Sequence, residues 1–533
     1  MCRAGLDQII CIALCLAAFQ AGGCVSAERV KERVDQQAYQ MIDQKWQPSF
    51  GTKANYRISD VTPSPNDVPV DQPIPPALGT LTIAQAVALA TGHNPEYQIR
   101  REALYAKALE LRLTRHQFER RYLGLISGTY RGDRNDQILS TEAATGFNQL
   151  LADGTQVGAT LTAAWADVVS GNLRGGLAAI LGLAVTKPLL RGSDRQVVLE
   201  GLTQAERDLL YEVRSFNHFR KGFVVDVISD YYRILVILDH IENAKDYQET
   251  LKELLDLAVP LAQAGRIGTF EVDRIKQEII SIEDQIVRSR GQYQQMLDEF
   301  KLKLGIPTTT RFDLDPRELS ALRQSTLPCP QVQEQEVLDT ALARRLDLAN
   351  EADRVLDAQR KVLVARDRLK ADLNIVGWTN ASTNMNINRR TLTILDNEFS
   401  VGLEADLPLD RVAEENQYRL ALIAVNQQKR TYQQTVDTVC AQVRQSFRKL
   451  MESAQRYQLA RQGVDLARQR FDSTMLLLRH NRTNTRRVLD ALQDLYDAKD
   501  KGTAALADYA ISTLRFYHDT GILQVRPDGM WQL

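Results

Sequence analysis

Apolar positions recur at helical spacing along most of this 533-residue chain, and the recurrence is interrupted at a few defined places. Val225, Ile228, Tyr232, Leu235 and Leu238 share one helix face, as do Ile279, Ile282, Ile286 and Tyr293. Between these runs, residues 261–272 contain Gly265, Gly268 and Thr269. Glycine permits left-handed backbone at a helix end and threonine can cap the next helix, so a tight reversal between two long helices is predicted. A second reversal is predicted over residues 477–488, around Asn481, Asn484 and Thr485.

The other helices follow from the same period and its stop signals. A short helix opens at Leu81, and Asn94-Pro95 starts a longer one reaching about Arg121. Helices are then predicted over 193–263 and 268–304, the latter ended by Gly305 and Pro307, followed by a polar linker. The order repeats with helices over 334–346, 347–370, 411–478 and 484–518, the last ending near Gly521.

From 122 to 190 the period changes to two. Val157, Ala159, Leu161, Ala163 and Trp165 alternate with Gly158, Thr160, Thr162 and Ala164; Leu181, Leu183 and Val185 alternate with Gly182, Ala184 and Thr186. Tyr122 to Tyr130 is a weaker segment of this kind. In the second half, Leu373 to Thr379 and Phe399 to Leu407 read as strands. The expected count is two strands per repeat and four per chain. The interval from Gly265 to Asn481 equals that from Gly305 to Gly521, which marks an internal duplication.

Lengths set the scale. Residues 193–263 span roughly 105 Å as a helix and 411–478 about 100 Å, far beyond an ordinary globular helix. The shorter helices 95–121 and 268–304, and likewise 347–370 and 484–518, match that length when stacked end to end. Each repeat thus supplies one continuous and one composite rod, with amphipathic strands at the end opposite the turns. Four strands are too few to close a membrane barrel, and open edges are not tolerated in lipid, so several chains must combine.

Composition excludes more than it identifies. The net charge of −1 argues against nucleic acid as a partner. No run of about 20 apolar residues follows the N-terminus, a test blind to membrane strands. Four of the six cysteines lie in the first 24 residues; Cys329 and Cys440 show no metal spacing, and the six histidines are scattered. No nucleophile motif or phosphate loop occurs, so neither enzymatic activity nor a cofactor is expected. Residues 1–23 read as an export signal: Arg3, an apolar stretch from Ile9 to Ala18, then Ala21-Gly22-Gly23 before Cys24. This resembles a bacterial lipoprotein signal, in which Cys24 is acylated; the alternative is an ordinary signal peptide. Val25 after the cysteine favours the outer membrane, by analogy with known lipoproteins.

In order, spacing and duplication, Leu81 to Ala88 with Asn94-Pro95, Lys187 to Gly192, the two turns and Val488 to Ala491 resemble the outer-membrane efflux (TolC) family. The resemblance covers about 81–521. It implies a mainly α fold with a small β part: duplicated long-helix hairpins forming a periplasmic α-barrel, and strand pairs forming a 12-stranded trimeric outer-membrane β-barrel. It also implies a homotrimer in outer-membrane lipid, a periplasmic adaptor (membrane fusion) protein and an inner-membrane pump of RND or ABC type, exporting small molecules or proteins. The expected organisation is a signal peptide over 1–23, a lipid-anchored proline-rich tether over 24–80, and a first repeat over 81–306. A linker over 307–332, a second repeat over 333–521 and a tail over 522–533 follow.

The resemblance places adaptor docking at Gly265, Gly268, Thr269, Asn481, Asn484 and Thr485, where a role as turn formers alone is the alternative. Asparagine stands at 481 and 484 where the family usually has glycine, and it too tolerates left-handed backbone. Asp490 matches an acidic gate position, while Arg487 stands where a second acid is expected. Three-residue spacing puts both on one helix face, as a gate network or a solvated pair. The rival to a transport conduit is a coiled-coil structural lipoprotein of the envelope; a cell-envelope hydrolase has nothing positive behind it.

Overall fold

The computed structural model describes residues 26–47, 50, 57–58, 77–132, 137–170, 176–324, 333–386, 391–407, 409–480, 482–526 and 531–532. The elements run α1 (Ala27–Lys45), β1 (Ala77–Leu81), α2 (Ile83–His93), α3 (Pro95–His116), then β2 (Arg121–Gly132), β3 (Gln137–Leu150), β4 (Gln156–Ser170) and β5 (Gly176–Pro188). A single turn, α4 (Arg195–Val198), precedes α5 (Glu200–Gln263) and α6 (Thr269–Leu304), followed by β6 (Arg311–Leu314) and α7 (Arg317–Gln324). The second half holds α8 (Glu334–Arg344), α9 (Leu346–Asp367), β7 (Asp372–Asn386), β8 (Thr391–Asp406), α10 (Val412–Arg479), α11 (Thr485–Asp519), β9 (Gln524–Val525) and β10 (Trp531–Gln532).

The long helices form as their periodicity predicts. α5 has 64 residues and α10 has 68, about 96 and 102 Å. The composite rods form too. Asn94 caps α3, its Oδ1 accepting the Tyr97 N–H at 2.9 Å, while its Nδ2 donates to the Lys303 carbonyl near the end of α6 at 2.8 Å. One side chain thus satisfies orphan groups of two abutting helices. Gly305 ends α6 at φ 74°, and a methyl group there would lie 2.3 Å from the His93 carbonyl oxygen. The joint in the other repeat uses a different device. Gly521 repeats the left-handed stop, but Arg345 reaches the Asp519 carbonyl at 3.4 Å while held by Asp347 at 2.6 Å.

A middle belt packs around these joints. Tyr231 is fully buried; its hydroxyl donates to the Leu81 carbonyl at 2.8 Å and accepts the Asp315 N–H at 3.2 Å. It therefore ties the end of β1 to the end of β6, which pair in parallel. Two sequence expectations need correction here. The linker after Pro307 is structured over 311–324, with Leu319 and Leu322 buried in the core. The segment before residue 80 is not all free tether: α1 buries Ala38, Tyr39, Met41 and Ile42 against the same core. Its proline-rich part, 59–76, lies outside the described residues.

The largest correction concerns the strands. Instead of four, six strands among the described residues form one antiparallel meander ordered β2-β3-β4-β5-β7-β8. β3 went unread because its alternation has little contrast: Ala143, Ala144, Thr145 and Gly146 are small on both faces. Its place is set by pairing, Phe147 opposite both Tyr122 and Ala159.

The two repeats are locked together between α5 and α9. Asp357, on α9 and 4% exposed, accepts from Arg207 at 2.6 Å and from the Tyr211 hydroxyl at 2.6 Å. Arg214 meets Asp353 at 2.6 Å beside it. Burial alone would raise the Asp357 carboxyl. The Tyr211 hydrogen bond and the charges of Arg360 and Arg207 outweigh it and hold the group below its ordinary value of 3.8.

Two outcomes follow from these contacts. Replacing Asn94 with Ala removes a cap and uncovers a carbonyl, and should cost about 1–3 kcal/mol in denaturant unfolding. Because the Asp357 pKa is depressed on folding, its stabilisation is complete above the unfolded value near 3.8 and lost as pH falls through the lower folded value. The stability gap between wild type and Asp357→Asn should therefore narrow on acidification towards pH 3; a gap constant from pH 7 down would contradict this.

Candidate functional site

The two ends of the chain carry the features that bear on function: the turns at one end and the sheet at the other. In the first turn, Ala264 donates to the Pro260 carbonyl at 3.0 Å, Arg266 to Leu261 at 2.9 Å and Glu271 to Gly268 at 3.1 Å. The same bonds recur at the equivalent positions of the second turn: His480 to Leu476 at 3.3 Å, Arg482 to Leu477 at 2.8 Å and Arg487 to Asn484 at 3.2 Å. The duplication read from glycine spacing holds bond for bond.

Within that shared backbone the residues divide their work. Gly265, at φ 71°, is a left-handed helix end. Gly268 is not: it is the N-cap of α6 in extended backbone, φ −75°. Thr269 is the first helical residue and does not cap. Asn484 sits at φ −101°, so its value is not left-handed tolerance; its Oδ1 caps α11 by accepting the Arg487 N–H at 3.2 Å. Gly265, Thr269 and Asn484 are exposed and Gly268 is half-buried. Thr485 is 2% exposed and therefore faces the interior of the tip, not a contact surface. Asn481 and Cys24 lie outside the described residues.

Beneath the turns one apolar cluster joins both hairpins. Val272, Ile275 and Ile282 of α6 and Val488, Leu489 and Leu492 of α11 pack with Leu251 and Leu254 of α5. The outer surface is different in character. Arg266, Arg274, Arg479, Arg482, Arg486 and Arg487 are all exposed there. So is Phe270, at 68%, with Leu476 at 58%. Apart from Arg487, sequence reasoning passed over these arginines and apolar residues, although they fall outside the buried stripe of each helix and so were open to notice.

Arg487 and Asp490 both lie exposed on one face of α11. Their expected pair is not formed; among the described residues the ion pair on that face is Arg470 of α10 with Asp494, one turn beyond Asp490. Exposed pairs gain little, so three-residue spacing alone does not bring the partners together.

At the opposite end the sheet has two distinct faces. On one, Phe399, Val401 and Leu403 of β8 stand opposite Thr379, Gly377 and Ile375 of β7. The row continues through Leu181, Leu183 and Val185 of β5, Val157, Ala159 and Leu161 of β4, Phe147 of β3 and Tyr122 and Ile126 of β2. Phe399, Val401 and Leu403 are more than 70% exposed, an apolar surface with nothing in this chain to cover it. The other face carries Ser400, Asn380, Gly182, Thr160, Thr162, Asn148 and Ser127, with Leu123, Leu125, Ile180, Val376 and Trp378 as apolar exceptions. No described helix is long and apolar enough to cross a membrane.

A period-two sheet with one exposed apolar face, set on rods of about 100 Å, is the architecture expected of a helical-tunnel outer-membrane channel. The comparisons agree. Residues 337–521 match the family model described as outer membrane efflux protein, the description of a transport component rather than of an enzyme. No curated protein matches the chain. Among solved structures, the outer-membrane channel OprN is 13% identical over 89% of this chain and 99% of its own, TM-score 0.58. The MtrE outer membrane channel of Neisseria gonorrhoeae is 13% identical over 90% and 98%, TM-score 0.56. The CmeC outer membrane channel of Campylobacter jejuni is 15% identical over 82% and 85%, TM-score 0.55. At such identities the likeness is one of fold.

The cap assignments are testable. Gly265→Val forces a β-branched residue into left-handed backbone and Asn484→Ala removes a cap, each costing about 1–2 kcal/mol locally. Hydrogen exchange of tip amides in the affected hairpin should quicken about fivefold or more, with amides of the middle belt unchanged.

Proposed function

We propose that this chain is the outer-membrane channel of a tripartite efflux or type I secretion system, a passive conduit with no chemistry of its own. It works as a homotrimer: an outer-membrane barrel continued by a periplasmic tunnel, met at its tip by an adaptor protein that links it to an inner-membrane pump. Cys24 carries the lipid anchor, as the pattern of residues 1–24 suggests.

One observation carries the reading: the chain exposes surfaces that only further copies can cover. The sheet leaves an unpaired edge on β2 and another on β8, and neither belongs in lipid. α10 supports the same conclusion, since it buries only Val439, Val443, Leu450, Ser453 and Ala454 along its 68 residues. Leu420, Leu459 and Leu466 on it stay more than 60% exposed.

The tips take the adaptor. Gly265, Gly268, Thr269, Asn481 and Asn484 shape that surface, with Thr485 sealing it from inside, and its arginines favour a partner surface of acidic character. Arg487 and Asp490 line the inner end of the tunnel near its closure, beside the Arg470–Asp494 pair that ties α10 to α11.

The test is export by intact trimers. Gly268→Val and Asn484→Val each place bulk on the tip surface while sparing the buried cluster. Trimers should persist in detergent while export, followed as accumulation of a pump substrate in cells, falls at least tenfold. Unchanged export would remove the tip from adaptor docking, and a monomeric, salt-extractable wild-type protein would overturn the channel itself.

A further inference from the structure

All six strands have the dimensions and the chemistry of barrel wall. β2 has 12 residues, β3 14, β4 15, β5 13, β7 15 and β8 16, against the roughly 9–11 a tilted strand needs to cross a membrane. The pair β2–β3 is not an appendage on the four strands that the family pattern leads one to expect. It is hydrogen-bonded to β4 over the length of the sheet, from Ile138 opposite Val168 to Leu150 opposite Gln156. Its apolar row, Tyr122, Ile126 and Phe147, lies on the same face as Leu161, Leu183 and Val401.

The turn that leads from β3 into β4 is also built into the junction between sheet and helices. Leu151 donates to the Thr155 carbonyl at 2.8 Å, and Gly154 adopts φ 81°. A methyl group at Gly154 would lie 2.3 Å from the Gly192 carbonyl oxygen and 2.8 Å from the Pro188 ring. The extra hairpin is therefore seated against the chain where β5 leaves the sheet for α4.

Resting on the trimeric channel proposed above, we infer that β8 of each copy pairs with β2 of the next, closing a barrel of 18 strands rather than 12. β2 and β8 are the first and last strands of an even-numbered antiparallel meander, so they run in opposite directions and three copies close without a parallel pair. With strands about 4.8 Å apart and tilted about 40°, the backbone radius is about 18 Å, against about 12 Å for 12 strands. The perimeter, about 113 Å, then matches the roughly 100–120 Å of a ring of twelve helical rods packed about 8–10 Å apart. The barrel is about 1.5 times wider than expected, so passage is limited at the tips and not in the membrane.

Cysteine cross-linking decides it, in full-length protein with Cys329 and Cys440 replaced by Ser. Tyr122→Cys, Gly124→Cys and Ile126→Cys on β2, or Ala159→Cys and Leu161→Cys on β4, are each combined with Val401→Cys on β8. All lie on the apolar face, and a bismaleimide of about 8 Å reach cannot span the roughly 24 Å from β2 to β8, or about 14 Å from β4 to β8, within one sheet. Variants that keep the detergent-resistant trimer should give dimer- and trimer-sized adducts for β2 with β8 and none for β4 with β8. Adducts of β4 with β8 in intact trimers would overturn the 18-stranded wall and leave the channel standing; monomers throughout would overturn both. Cryo-electron microscopy of the unmodified trimer gives a second measure: a backbone radius of about 18 Å is expected, and one of about 12 Å would overturn the inference.

Discussion

Pairing of backbone N–H and C=O groups is the constraint from which the rest of this structure follows. A helix of ordinary length leaves four donors and four acceptors open at its ends, and a chain that builds rods of about 100 Å from shorter helices meets that problem in the middle of each rod. Asn94 solves it in one repeat by serving both helix ends at once. Arg345 and Asp347 solve it in the other. The left-handed glycines Gly305 and Gly521 let the two helices approach closely enough for either solution. At the far end the same constraint applies to β2 and β8, the two strands that end the sheet, whose outer edges have no partner strand among the described residues.

The duplication preserves backbone and relaxes side chains. Three hydrogen bonds of the first turn recur in the second, yet Gly268 and Asn484 reach the same N-cap geometry by different means, one with bare backbone and one with a side-chain acceptor. The sheet is less conservative: four strands come from the first half and two from the second. A meander tolerates an added hairpin because each strand needs only its two neighbours. The locus of change is thus where the architecture permits it, and Asp357 with Arg207 and Tyr211 keeps the halves in register between α5 and α9.

What could be read from the residues alone depended on contrast. Long 3.6-residue periods located α6, α10 and α11 to within a residue or two and the end of α5, whose start at Glu200 lies seven residues beyond the one expected, and stop signals at Gly305 and Gly521 located the ends of α6 and α11. β3 escaped because Ala143 to Gly146 offer no difference between faces. β1 and β6 escaped because such short strands are defined by each other and by Tyr231, which is distant in sequence from both. The docking of α1 through Ala38, Tyr39 and Ile42 was not readable, since nothing in an isolated amphipathic pattern states what it covers.

The sequence by itself determined the repeat, the rod lengths, the two turns and the alternation of the wall, because each rests on local periodicity or on a single residue's backbone freedom. Tertiary structure alone decided the number of strands, the burial of Thr485, the capping role of Asn484 and the separation of Arg487 from Asp490. Each of these depends on which distant group arrives at hydrogen-bond or van der Waals distance. Spacing along the chain states which side chains share a face, and only the packed fold states what that face meets.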